Sequence, residues 1–288
     1  MQVSFIGTGI MGSRMAANVL ATGQTLTVFN RTPEKTDELV ERGATRAGSI
    51  AEAATGADVV VTMLSEPRAV KQVAETLWAS MTPGALWMNC STVNPSFAAE
   101  MSKATTERGF RYLDAPVAGS KAAAAGAQLV FFLGGKKEDV DTVKPLTDAM
   151  GQKVVHLGEA GQGSALKIVV NQQLAVAMAS FAEGVALGES LGLPRELVVT
   201  VLLNGPLVPA FMGAKKDQIM NDDYISDVHF PLEWMQKDLE MATHTAYESG
   251  ATMPVSNAAK ESYRAAMRRG LSRADFAAIF DYYTRTLD

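Results

Sequence analysis

Lys167 and Asn171 stand four residues apart near the start of an apolar stretch, residues 166–193, whose only formal charges are Lys167, Glu183 and Glu189. On a helix that spacing brings the ammonium and the carboxamide to one face, about 40° apart around the axis. An ammonium in apolar surroundings is costly unless it is paired, hydrated in a cleft or used for proton transfer. The pair suits holding a carbonyl oxygen and passing it a proton; the plainer role is a lysine that snorkels to water from the first turn. A second pattern, Gly7-Thr8-Gly9-Ile10-Met11-Gly12, has GxGxxG spacing between an apolar run at residues 3–6 and a helical pattern reaching residue 21. Gly7 permits a tight turn, Gly9 lets a pyrophosphate approach the backbone, and Gly12 allows helix and strand to pack closely. The amides around Ile10, Met11 and Gly12, with the helix dipole, favour the anion.

The second strand pattern, residues 25–29, ends in Asn30-Arg31-Thr32, and Pro33 starts another helix. An NAD-type site places a carboxylate at this strand end to accept from the ribose hydroxyls. None stands here. Arg31 offers a guanidinium to a 2′-phosphate instead, with Thr32 and Lys35 as further donors, so Asn30, Arg31, Thr32 and Lys35 are the expected cofactor residues of this turn and NADP(H) the expected cofactor. A solvated surface arginine is the plainer alternative.

The elements that must carry these residues alternate in type. Strand patterns at 58–64, 85–90, 111–117 and 129–133 are separated mostly by helical ones at 67–80, 95–108 and 136–150. Continuous apolar strands between helices indicate a mainly parallel sheet covered on both faces. Ligands of such sheets collect at the carboxyl ends of the strands, which points to Met63-Leu64-Ser65, Ser91-Thr92 and Ala118-Gly119-Ser120-Lys121; each also reads as a plain strand-end turn. From residue 194 the periodicity is helical, at 194–204, 209–221, 231–247, 254–269 and 272–283, with proline at several first turns. The expected fold is α/β. A Rossmann-type dinucleotide-binding domain, residues 1–157, leads through a long apolar helix, 158–193, to an all-helical substrate and oligomerisation domain, 194–288. A helix apolar nearly all round belongs in an interior, and covering it calls for a partner subunit, hence a homodimer or homotetramer.

Composition narrows the classes. The 288 residues suffice for two domains, and a net charge of −5 gives no general pull toward nucleic acid or anionic membrane. Cys90 is the single cysteine and the three histidines lack ligand spacing, so no disulfide and no metal site are expected. A strand pattern beginning at Val3 leaves no room for a leader, and the long apolar stretch is interrupted by charges, so the expected setting is cytoplasmic without a membrane span.

Four motifs spanning nearly the whole chain resemble the β-hydroxyacid dehydrogenase family, whose members include the 3-hydroxyisobutyrate dehydrogenases: GTGIMG (7–12), DAPVAGS (114–120), GEAGQGSALKIVVN (158–171) and QKDLEMA (236–242). The resemblance implies a catalytic lysine at Lys167 and a neighbouring functional asparagine at Asn171. It implies a carboxylate-binding turn at Gly119, Ser120 and Lys121, a cofactor-contacting turn at Thr92, and Lys237 reaching the nicotinamide end of the site. NRT at 30–32, GSK at 119–121 and FPL at 230–232 are most similar to the glyoxylate and succinic semialdehyde reductase branch. That implies NADPH-dependent reduction of short aldehyde acids, the small-molecule partners expected here. Ala118 replaces the family's usual serine, and residues 122–125 replace a more polar loop, so pocket size and affinity are open. The alternatives are an oxidative 3-hydroxy acid dehydrogenase and a non-catalytic NADP-binding scaffold. The 6-phosphogluconate dehydrogenases are longer chains, and imine reductases usually lack the lysine.

Overall fold

The computed structural model describes residues 1–284. The chain forms two compact units, Met1–Lys167 and Ile168–Asp288. The first holds a six-stranded sheet made of β1 (Gln2–Ile6), β2 (Thr25–Phe29), β3 (Thr45–Arg46), β4 (Val59–Thr62), β5 (Leu86–Asn89) and β6 (Arg111–Asp114), in the order β3-β2-β1-β4-β5-β6. Every pair in it is parallel. Because successive side chains point to opposite faces, these apolar strands feed two cores. Phe5, Val28, Val61 and Met88 pack with Met15 and Val19 on one side, and Ile6, Val60, Trp87 and Tyr112 pack with Val70, Leu77 and Met101 on the other. Burying each such side chain contributes about 1.5–3 kcal/mol, so both faces need their helices. Helices Pro67–Ser80 and Pro95–Thr106 begin on their prolines, which suit a first turn where the N–H has no partner.

The strand expected over residues 111–117 is two strands. β6 ends at Asp114, and β7 (Val117–Ala118) joins a separate three-stranded sheet with β8 (Leu129–Leu133) and β9 (Gly151–His156). Pro116 has no N–H for a ladder. Its carbonyl accepts the Phe132 N–H at 2.9 Å, while the Ala115 N–H still reaches Asn89 O at 2.8 Å, so the chain changes sheets at this dipeptide.

The long helix runs from Gln162 to Ser190, starting four residues before the apolar stretch. In the second unit Ala175, Met178, Phe181, Ala182 and Val185 form its core with Val199, Leu232, Met235, Tyr263 and Phe280. Within one chain the helix is not buried all round: Val169 and Leu187 are 57% and 62% exposed. By length and composition the helix could also cross a membrane, contrary to the reading of its charges, but its packed face is that of a core helix. Helices Arg195–Asn204, Leu232–Ser249 and Pro254–Ala266 follow. The pattern at 209–221 splits into a 3-10 segment, Ala210–Lys215, and a helix, Lys216–Asn221. There Lys215 is buried and pairs with buried Asp275 at 2.8 Å. The pattern at 272–283 becomes helical only from Phe276, where Asp275 caps the turn by accepting the Ala277 N–H with one oxygen while the other accepts the N–H groups of His229 and Phe230.

Candidate active site

In the first unit the strand ends form a row. Ile6 is in register with Phe29 and Thr62, Thr62 with Asn89, and Asn89 with Asp114. Residues 7–12, 30–32, 63–65, 90–92 and 115–120 therefore all follow the carboxyl ends of these strands. Gly7 has φ +98°, and a Cβ there would lie 2.4 Å from Met63 O, so the first turn packs directly on the Met63–Leu64 backbone. At Gly12 a Cβ would come within 1.9 Å of Gly7 O. Gly9 is different: a Cβ would meet nothing within 4 Å. Open space over that glycine, at the start of helix Gly12–Ala21, fits the pyrophosphate of a dinucleotide.

Asn30 braces the next turn. Its Oδ1 accepts the Thr8 N–H at 3.1 Å and its Nδ2 donates to Thr32 O at 2.9 Å, leaving Arg31, Thr32 and Lys35 exposed around it. Beneath the turns at Met63-Leu64-Ser65 and Thr92 runs a buried polar network. Ser91 Oγ accepts the Leu64 N–H at 2.9 Å, and Asn89 Oδ1 accepts from Thr62 Oγ1 at 3.0 Å and Ser91 N at 3.2 Å. Asn89 Nδ2 donates to Tyr112 OH at 3.2 Å, and Trp87 Nε1 donates to Thr62 Oγ1 at 2.9 Å. Satisfied networks of this kind rigidify their surroundings. Burial, and then the nearby Asp114 charge, push the Tyr112 phenol and Cys90 thiol well above their ordinary ranges, so both stay neutral.

Gly119 has φ +140°, and a Cβ on it would lie 2.8 Å from Leu129 Cδ2. Ser120 caps the short helix Lys121–Ala125, its Oγ accepting the Ala123 N–H at 3.3 Å. That helix, the small-residue stretch of the sequence, is tied to Gly12–Ala21 by Asn18 Nδ2 donating to Ala124 O at 2.7 Å. Asp114, fully buried, holds the start of the long helix. Its Oδ2 accepts from Gly161 N at 3.0 Å and Ser164 N at 2.8 Å, and its Oδ1 accepts from Ser164 Oγ at 2.6 Å. Lys167, half-buried, follows Ser164 by about one helical turn. Burial pushes the Asp114 carboxyl above the usual range, against the lowering pull of its Ser164 and Gly161 donors.

In the second unit Asn171 is buried, and its Nδ2 donates to Oδ2 of buried Asp238. The Lys237 ammonium lies 3.2 Å from the other oxygen of that carboxylate. Among the described residues no cluster of three His, Cys, Asp or Glu is arranged to hold a metal.

Residues 2–158 match the family described as the NAD binding domain of 6-phosphogluconate dehydrogenase, and residues 161–283 match the NAD-binding domain of NADP-dependent 3-hydroxyisobutyrate dehydrogenase. The chain belongs to the β-hydroxyacid dehydrogenase family. Its members here include glyoxylate/succinic semialdehyde reductase 2 of Arabidopsis thaliana, 35% identical over 97% of this chain and 78% of that one. The NAD-dependent L-serine dehydrogenase of Pseudomonas aeruginosa is also 35% identical, over 96% of each. Among solved structures, Mycobacterium tuberculosis 3-hydroxyisobutyrate dehydrogenase with L-serine superposes with a TM-score of 0.86 at 29% identity, covering 98% of this chain and 99% of that one. This β-hydroxyacid dehydrogenase is therefore an NAD(P)-dependent oxidoreductase.

Two buried acids, one in each unit, have no role in the sequence reading. Asp114 ends an apolar strand, and Asp238 sits at helical spacing with Met235, Leu239 and Ala242, all buried. An acid at a buried position needs donors, and that was the available signal.

Proposed function

We propose that this enzyme reduces short aldehyde acids such as glyoxylate and succinic semialdehyde with NADPH, Lys167 acting as the proton donor. The observation that carries the reading is the anchoring of the lysine helix to the end of β6, in the same row of strand ends as the glycine turn. Bound NADPH would supply the hydride, with its pyrophosphate at Gly9–Gly12, its 2′-phosphate at Arg31, and Met63, Leu64, Ser65 and Thr92 near its nicotinamide. Ser120 already accepts a hydrogen bond as a helix cap, so its O–H remains to donate to the substrate carboxylate, beside the amides of its turn and the charge of Lys121. Lys167 hydrogen-bonds the carbonyl oxygen and protonates it. Asn171, one turn on along the same helix and oriented by Asp238, steadies the ammonium or that oxygen. The equally similar serine dehydrogenase supports a second reading, oxidation of 3-hydroxy acids with NAD.

An assay of both cofactors in both directions tests this, across two- to four-carbon aldehyde acids, L-serine and 3-hydroxyisobutyrate. NADPH oxidation by aldehyde acids is the expected outcome; NAD reduction by L-serine or 3-hydroxyisobutyrate without it selects the second reading. In the same assay Ser120→Ala should raise KM for acid substrates about tenfold or more, the loss of a hydrogen bond to a charged group. An unchanged KM removes Ser120 from carboxylate binding.

We also infer a homodimer or homotetramer. Leu187, Leu191, Leu197 and Val201 are each 51–71% exposed along the end of the long helix and the helix after it, a concentration that monomers rarely leave in water. Sedimentation as monomer alone at micromolar concentration would remove this.

A further inference from the structure

We propose that Asp114 is a positioning residue for this reaction, fixing the lysine-bearing helix and the carboxylate-binding turn to one point at the end of β6. The inference rests on the roles proposed above for Ser120 and Lys167. The main chain of Asp114 is held by a reciprocal pair of bonds to Gly134, its N–H donating to Gly134 O at 2.9 Å and its carbonyl accepting from Gly134 N at 2.8 Å. Five residues further along lies Gly119. The side chain of the same residue takes two backbone N–H groups and one hydroxyl from the first turn of the long helix, and Lys167 occupies the next turn. One residue thus anchors the helix that carries Lys167 and stands on the strand from which the chain continues to the Ser120 turn.

The surroundings are shaped for this contact. A Cβ on Gly163 would lie 2.4 Å from Phe132 O and 3.0 Å from Asp114 Oδ2, and one on Gly134 would lie 2.5 Å from Glu159 O and 3.2 Å from Asp114 Oδ2. Only glycines let the helix start press this closely on the strand end. The first N–H groups of a helix require acceptors, and a local cap ordinarily supplies one. Here the acceptor is one residue, Asp114, 47 and 50 positions before its two backbone donors, and a carboxylate is a favourable acceptor at a helix N-terminus. The same burial that raises the carboxyl's pKa above 3.8 means that its contribution to stability falls as pH rises through that window.

Asp114→Asn and Ser164→Ala test this in the full chain. Asp114→Asn turns one acceptor into a donor; Ser164→Ala removes only the hydroxyl and leaves both backbone contacts. With an aldehyde acid, kcat should fall on the order of 10²-fold in the first, as for a catalytic group misplaced by about 1 Å. It should fall roughly tenfold in the second. NADPH affinity should be unchanged in both, and amide hydrogen exchange should accelerate across residues 161–167. Folded, NADPH-binding variants with wild-type kcat would overturn the proposal, as would unaltered exchange. If Asp114→Asn fails to fold, Ser164→Ala decides. A wild-type enzyme inactive on every acid would defeat the proposed reaction instead, while the exchange measurement still reports whether Asp114 anchors the helix.

Discussion

Lys167→Ala is expected to lower kcat for aldehyde-acid reduction by roughly 10²–10⁴-fold, the range for loss of a positioned general acid. NADPH affinity, measured by fluorescence titration, should remain close to wild type. The separation follows from where the groups sit. The pyrophosphate turn belongs to the ends of β1 and β2, braced by Asn30, whereas Lys167 rides on a helix fastened to the end of β6. Lys167→Arg sharpens the test. A guanidinium keeps the positive charge but does not give up a proton near neutral pH. If the lysine supplies charge alone, arginine should restore much of the rate; if it supplies the proton, both variants stay inactive. A Lys167→Ala enzyme within tenfold of wild type would exclude it as the acid.

Much of the first unit was legible because its signals are local. Gly7 and Gly12 are fixed by backbone approach distances that no side chain tolerates, and Pro67 and Pro95 mark helix starts through a missing N–H. The row of strand ends follows from alternating strands and helices in a parallel sheet. What escaped depends on partners distant in sequence. The long helix begins at Gln162 because a carboxylate from β6 receives its first amides, which apolar periodicity does not register. β3 is two residues, Thr45–Arg46, held by pairing with β2. The change of sheet at Pro116 required knowing that Phe132 would use its carbonyl. In the second unit the pattern at 254–269 is an α-helix to Ala266 that runs on into a π-helical segment, Met267–Leu271, where Gly270 takes φ +89°. Glycine favours such a turn without dictating it. Asp238 illustrates the general case. Its helical spacing marks the buried face, but only tertiary structure reveals that Asn171 and Lys237 meet it there.

Arg31→Ala should raise KM for NADPH by about ten- to a hundredfold and leave KM for NADH nearly unaltered. The range is that of hydrogen bonds between charged groups, and a guanidinium can present two N–H groups to a phosphate at once. Because Arg31 is exposed, the lower end of that range applies at physiological salt and the effect should shrink as ionic strength rises. Its backbone is held on either side, since Asn30 bonds both Thr8 and Thr32, so removing the side chain should not disturb the pyrophosphate turn. Arg31→Asp goes further. It places a carboxylate where ribose hydroxyls would donate to it and repels a 2′-phosphate, so preference should turn toward NADH. Lys35 on the following 3-10 segment, Pro33–Thr36, would then be the remaining cation beside the site, and Arg31→Ala/Lys35→Ala should lose more NADPH affinity than Arg31→Ala. Equal losses for NADPH and NADH in Arg31→Ala would place the discrimination elsewhere and remove the phosphate from this strand end.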